Sequence, residues 1–203
     1  MSGDVHVRFC ERLGGRVPGA TRLVCAFQYK VDADAFYREL PKRLAKFHLA
    51  IAQEKTRICR FSRFHAGHQS ESRISFLGFE LWWGWNRCGM PQIQRRTAPK
   101  KQQAAEQRIR DWIKRNRNLP GHAFVAGLKR RLQGHYNYYG ITGNQKGLYR
   151  FYREVLGQVF KWLNRRGGKR RSFTWPQFKR ALARLCIPKP VIRPWARKRL
   201  VYA

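Results

Sequence analysis

Positively charged side chains concentrate in three stretches of the C-terminal half of the sequence. These cations are Arg95, Arg96, Lys100 and Lys101; then Lys129, Arg130 and Arg131; then Lys161, Arg165, Arg166, Lys169, Arg170 and Arg171. Clustered guanidinium and ammonium groups neutralise backbone phosphates, so the three stretches are typical of nucleic-acid binding. A solvated basic helix face is the alternative interpretation of each stretch taken alone.

The aromatic block "GHYNYYG", residues 134–140, follows the second basic stretch directly. Aromatic rings stack on unpaired bases, and hydroxyl groups reach 2′-OH groups or phosphates. Tyr136 and Tyr139 continue the apolar stripe of the predicted helix, so we expect them in the core. His135 and Tyr138 lie off that stripe and are the better candidates for contact with a nucleic acid.

The last three carboxylates of the chain do not have the spacing of a catalytic site. They are Glu106, Asp111 and Glu154, all on predicted helices. Glu106 and Asp111 lie five residues apart, which places them poorly for sharing an ion on a helix surface. We expect these carboxylates to balance nearby lysines and arginines.

Cysteine and histidine provide no metal site that the sequence can identify. The five cysteines are far apart and form no CxxC pair, which favours reduced thiols in a cytosol-like compartment. His65 and His68 form an isolated HxxH in a predicted loop, without a third ligand at suitable spacing. We therefore interpret this pair as part of a solvated loop.

The overall composition describes a folded, strongly basic protein. The chain has 203 residues, 43% of them hydrophobic, with 44 Lys+Arg against 11 Asp+Glu and a net charge of +33. A polyanionic partner that offsets the self-repulsion is the simplest explanation, and nucleic acid is the favoured one. Without an apolar run of about 20 residues, a membrane-spanning segment is not expected. We expect a cytoplasmic protein.

Hydrophobic periodicity predicts two structurally different halves. Residues 1–21 show no clear period and are expected to be poorly ordered. The following part is predicted to contain a strand at 22–29, a helix from Asp32 to about His48, a strand at 56–61, and a hairpin of 74–85 with 90–95.

The second half is predicted to be helical. Helices are expected at 99–118, 122–139 and 145–165, and a capping-box pattern at Thr174 starts a last helix. Because each helix is amphipathic, they must pack together as a small bundle. The fold class is therefore α+β.

Several blocks in order resemble the C-terminal part of bacterial group II intron reverse transcriptase/maturases, over about residues 22–203. They are "FQYKVDADAFYRELPKRLAKF" (27–47), "EKTRICRFSRF" (54–64), "FLGFE" (76–80), "RRTAPKK" (95–101), "LKRRLQGHYNYYG" (128–140), "LYRFY" (148–152) and "KWLNRRGGKRRSFTW" (161–175). The resemblance implies that 22–95 is the end of a polymerase palm and that 96–203 is the thumb, also called the maturase or X domain.

The family function implied by this resemblance is RNA-directed DNA polymerisation together with intron splicing. In the family the thumb grips structured intron RNA and the RNA/DNA primer–template duplex, and these are the expected partners. The resemblance places "FLGFE" in the primer grip. It makes Lys55 a possible motif lysine near the incoming nucleotide.

One departure from the family pattern concerns catalysis. Family members carry Tyr-Ala-Asp-Asp before the strand that corresponds to Leu23–Phe27, whereas this chain has Gly19-Ala20-Thr21-Arg22. In the complete family enzyme the aspartates bind Mg²⁺, which requires carboxylate oxygens. We therefore expect no retained catalytic residue and no cofactor in this chain, and no polymerase activity by the chain alone.

Three functions remain open from the sequence. The first is an RNA-binding maturase-type fragment. The second is a C-terminal subunit that completes a split polymerase, and the third is a pseudogene product whose reading frame changed near residue 22. In each case the palm remnant would expose strand edges, which predicts self-association through residues 22–29.

Overall fold

The computed structural model describes residues 5–10, 13–14, 23–52, 56–65, 73–165 and 173–192. Within these ranges the chain forms eight strands and five α-helices, so the mixed α/β class expected from the sequence is confirmed. The chain divides into two compact units, Met1–Arg95 and Arg96–Ala203. The family resemblance also implies a boundary between residues 95 and 96, and the sequence pattern predicts a further one after residue 21.

The N-terminal unit contains a three-stranded antiparallel sheet. Its strands are β1 (Val5–Cys10), β3 (Leu23–Phe27) and β5 (Thr56–Phe61), in the order β3-β1-β5. The short strands β2 (Leu13–Gly14) and β4 (Ala50–Ile51) pair separately.

Two strands lie in a segment for which the sequence analysis predicted poor order. That expectation for residues 1–21 is wrong at β1 and β2, and the remaining residues of the segment lie outside the described ranges. The signal was present, because Val5, Val7 and Phe9 alternate with polar residues. Pairing of β1 with both β3 and β5 is the tertiary interaction that stabilises this short strand.

Helix α1 (Lys30–Ala45) begins earlier than predicted. Tyr29 occupies the N-cap position, and Asp32 lies in the first turn, where its carboxylate is favourable to the helix dipole. Asp32 is therefore not the capping residue. The Phe36 ring packs 5.1 Å from that of Phe27 on β3, and Ala33 is fully buried.

The second sheet contains β6 (Ile74–Phe76), β7 (Phe79–Trp85) and β8 (Pro91–Thr97) in that order. The predicted single strand over 74–85 is wrong, because Leu77 and Gly78 form a two-residue turn with positive φ values of 47° and 80°. The predicted turn at 86–89 is confirmed: the Asn86 side chain accepts hydrogen bonds from the backbone N–H groups of Cys88 and Met90.

The C-terminal unit is a helical bundle with one continuous core. Its helices are α2 (Pro99–Asn116), α3 (Gly121–Tyr139), α4 (Gln145–Asn164) and α5 (Trp175–Arg184). The predicted capping box at Thr174 is confirmed. Fully buried side chains include Ile113, Leu128, Leu132, Leu148 and Val155, as the 3.6-residue period requires.

Two reciprocal ion pairs join α2 to α4. Arg150 lies 3.3 Å from Glu106, and Arg110 lies 2.9 Å from Glu154. Because residue numbers increase together on both helices, α2 and α4 run in the same direction.

A buried asparagine connects the start of α2 with the end of α3. Asn144 is 1% exposed. Its side-chain amide donates to Thr97 Oγ1 at 2.8 Å and to the Tyr139 carbonyl at 2.9 Å, and its oxygen accepts from the Thr97 backbone N–H at 2.9 Å. Asn144 thus holds the α3–α4 loop against Thr97, the last residue of β8.

Replacing Asn144 by alanine should destabilise the helical unit by about 2–3 kcal/mol, because two buried groups of Thr97 and the part-buried Tyr139 carbonyl lose a partner. Urea unfolding followed by helical circular dichroism measures this. Asn137→Ala is the control, since Asn137 is exposed and its side-chain oxygen accepts from Gln133 on the same helix. Equal stability of the two variants would contradict the role assigned to Asn144.

Candidate functional site

The structure describes eleven of the sixteen residues that the sequence analysis selected as site candidates. Arg95 and Arg96 lie on β8, Lys100 and Lys101 in the first turns of α2, and Lys161 and Arg165 at the end of α4. The remaining five described candidates lie on α3. Lys55, Arg166, Lys169, Arg170 and Arg171 lie outside the described residues.

One cavity of about 330 Å³ between α2, α3 and α4 brings three of these candidates together. Arg131, His135 and Tyr138 line it from α3, one helical turn after another. Arg108 and Ala105 line it from α2, and Ile109, Gly134, Tyr139 and Phe151 complete its lining. Sequence reasoning missed Arg108, although it lies beside the buried stripe of α2.

His135 packs against aromatic rings instead of projecting into solvent. Its imidazole is stacked on Phe151, with ring centres 3.7 Å apart and planes at 15°, and Tyr139 lies 4.7 Å away. The expectation of a surface histidine is therefore corrected: the side chain is half-buried. The His135 side chain faces α4, and its imidazole ring lies against the ring of Phe151.

His135 is neutral at pH 7. Burial, followed by the nearby Arg108 guanidinium, lowers the pKa of His135 to about 4. The buried Nε2 atom has no hydrogen-bond partner among the described residues, so an imidazolium N–H would be left unsatisfied there. The cavity wall thus carries no histidine charge.

Arg131 is held in place by an aromatic ring. Its guanidinium carbon lies 4.1 Å from the centre of the Trp112 ring, and its Nη1 donates to the Gly127 carbonyl at 3.2 Å. A Cβ atom at Gly127 would come within 2.7 Å of Trp112, so glycine is what lets the ring lie here. The cation–π contact fixes one cation on the rim of the cavity.

A second arginine–tryptophan group lies at the C-terminal ends of α2 and α4. Arg117 and Arg165 lie 5.1 Å and 5.2 Å from the centre of the Trp162 ring. A tryptophan near basic residues can serve either packing or base stacking. Trp162 is half-buried under two guanidinium groups, and Trp175 is 42% exposed with its ring 4.8 Å from Phe160.

The carboxylates of the helical unit are occupied by structural contacts. Glu106 and Glu154 form the ion pairs described above, and Asp111 accepts from Gln107 at 2.9 Å. Hydrogen bonds from Gln158 and Arg110 lower the pKa of Glu154. The expectation that these residues balance local cations is confirmed for Glu106 and Glu154.

The residues present do not fit the Mg²⁺ site implied by the family resemblance. Positions 19–22 offer no carboxylate, and hard cations require oxygen ligands of that kind. In the part of the chain that the structure describes, no three His, Cys, Asp or Glu side chains are grouped as metal ligands.

A scan against models of protein families found no family that matches the chain, and a search of curated proteins found no significantly similar sequence. The family resemblance therefore rests on the ordered motif blocks. Among the helices in the described ranges, none has the length and apolar character needed to cross a membrane.

Acidification should destabilise the protein through His135. The folded-state pKa lies below the value of about 6.5 in an unfolded chain, so the unfolded state binds more protons between about pH 6.5 and 4. We expect the free energy of unfolding to fall by about 1–2 kcal/mol from pH 7 to 5. Denaturant titrations of the wild type and of His135→Phe measure this difference.

The His135→Phe variant retains an aromatic ring against Phe151 but cannot titrate. Its stability should be flatter than that of the wild type over the same pH interval. Parallel curves for the two proteins would show that His135 does not carry the effect.

Proposed function

We propose that this chain is the RNA-binding C-terminal part of a group II intron reverse transcriptase/maturase. In this proposal residues 22–95 correspond to the end of the palm, and 96–203 correspond to the thumb, or X, domain. The ordered motif blocks support it. Further support comes from the division of the chain into two units at Arg95 and Arg96, the second of them a helical bundle.

The observation that carries the binding proposal is the combination of charge and aromatic surface on the bundle. Arg108 and Arg131 converge on a cavity that His135 and Tyr138 also line. Lys129 and Arg130 precede Arg131 on the same helix, in a chain with a net charge of +33. Arginine and lysine side chains bind backbone phosphates, and aromatic rings stack on bases. The proposed ligand is therefore structured RNA or an RNA/DNA duplex.

We propose that the chain binds RNA without polymerising DNA alone. Thr21 and Arg22 occupy the positions where the resemblance expects metal-binding aspartates. A hydroxyl and a guanidinium cannot replace two carboxylates in holding two magnesium ions. The proposed activity is therefore recognition and support of RNA structure.

RNA affinity should fall steeply with salt concentration, because each neutralised phosphate releases counterions. The double variant Arg108→Gln/Arg131→Gln should bind more weakly, and the slope of log K against log salt should decrease by about 1.5. Filter binding of a structured RNA across a salt series measures both quantities.

The matched control is Arg180→Gln/Arg184→Gln, which removes the same charge from exposed positions on α5. Its slope should stay close to that of the wild type. The proposal fails if wild-type binding does not depend on salt, or if an acidic polypeptide binds as well as RNA.

We also propose self-association through β3. This strand lies at the edge of its sheet, with β1 as its neighbour among the described strands. A strand at the edge of a sheet can pair with a second copy through its backbone. Light scattering should detect dimers or larger species, and substitution of exposed Ala26 by lysine should shift the population toward monomer. A monomeric wild type would contradict this.

A further inference from the structure

We propose that the cavity between α2, α3 and α4 receives a single unpaired nucleobase that projects from a paired RNA. This inference rests on the proposed RNA binding and specifies its substrate: RNA with a bulged or extruded nucleotide in preference to a continuous duplex. The cavity would then bind a base, a contact that neutralisation of the RNA phosphates alone does not require.

The size of the cavity suits one ring system. Its volume of about 330 Å³ lies at the small end of ligand pockets. A paired duplex presents its bases edge-on inside a groove, so a base must leave the stack to enter a concave site of this kind. The cavity therefore selects for a nucleotide that is already unpaired.

The walls provide surfaces on which a base can stack. Ala105, Ile109 and Phe151 contribute apolar surface, and His135 lies flat on Phe151. Tyr138 stands at the rim with 52% of its surface exposed. Every base has a π-face, so such walls bind bases without strong sequence preference.

The cavity combines positive charge, which suits the phosphate of a nucleotide, with neutral surface, which suits its base. Arg108 and Arg131 supply positive charge from α2 and α3, and the described residues that line the cavity include no carboxylate. His135 adds no charge at pH 7, because burial and Arg108 keep it neutral. An uncharged base thus meets the neutral part of the lining around His135 and Phe151, while its phosphate meets Arg108 and Arg131.

A larger side chain at Gly134 would fill the cavity without displacing the surrounding helices. It lines the cavity, and a Cβ atom built there has no neighbour within 4 Å. Leucine at this position would occupy the open space and would also favour the helix. Gly157 on α4 is equally open but does not line the cavity, so Gly157→Leu is the matched control.

The test compares two RNA hairpins that differ by one unpaired adenosine in the stem. Binding of the full chain is measured at fixed salt, and 2-aminopurine at the unpaired position reports stacking by its fluorescence. The wild type should prefer the bulged RNA by about tenfold, the effect of one stacked base, and should quench the fluorophore. Gly157→Leu should behave identically.

Gly134→Leu should bind both hairpins with the affinity that the wild type has for the continuous stem, and quenching should be lost. Tyr138→Ala should reduce the preference, whereas Tyr138→Phe should retain it. Circular dichroism verifies that each variant is folded.

Three results would overturn the inference. Equal wild-type affinity for the two hairpins would reject the base site and leave RNA binding intact. A preference that persists in both Gly134→Leu and Tyr138→Ala would place the base elsewhere. Failure of the wild type to bind either hairpin would reject both this inference and the proposed function.

Discussion

The helical unit depends on keeping like charges apart while its core packs. The whole chain carries 44 Lys+Arg against 11 Asp+Glu, so most cations have no carboxylate to pair with. Two kinds of contact reduce the repulsion between these cations. Glu106 and Glu154 pair with arginines across α2 and α4, and three arginines lie over the Trp112 and Trp162 rings. Most of the other described lysines and arginines of the unit are exposed to solvent, where a polyanion can reach them.

The same constraint explains why the cavity has its particular composition. The absence of a side chain at Gly127 leaves room for the Trp112 ring, which contacts the Arg131 guanidinium. Arg131 in turn lines the cavity beside His135. Packing thus positions a guanidinium that would otherwise sample many rotamers. A cation fixed in this way loses less conformational entropy when it binds a phosphate.

Helix positions were predictable from the sequence because local signals agree with the tertiary fold. Pro99 lies in the first turn of α2, Pro120 separates α2 from α3, and the core positions of α4 follow the helical period. The turn at Leu77 and Gly78 was not predictable in this way, since leucine seldom adopts positive φ and gives no turn signal.

The candidate site was predictable only in part. Clustered cations identified Arg131, and its aromatic neighbours identified His135 and Tyr138. Arg108 was missed because its contribution depends on α2 and α3 lining the same cavity, which no single helix reveals. Likewise, the stacking of His135 on Phe151 joins residues from two helices. The local clustering of cations and aromatic residues thus indicates the class of ligand. Which of these residues line one cavity is decided by the packing of the helices.

We propose that the helical unit binds RNA through the surface around the α2–α3–α4 cavity. Ultraviolet crosslinking of the full chain to a structured RNA, mapped by mass spectrometry, tests it most directly. We expect crosslinked peptides from α3 that contain Tyr138, with competition by unlabelled RNA. Crosslinks confined to α1 or to the β6–β8 sheet, with none on α3, would contradict the claim.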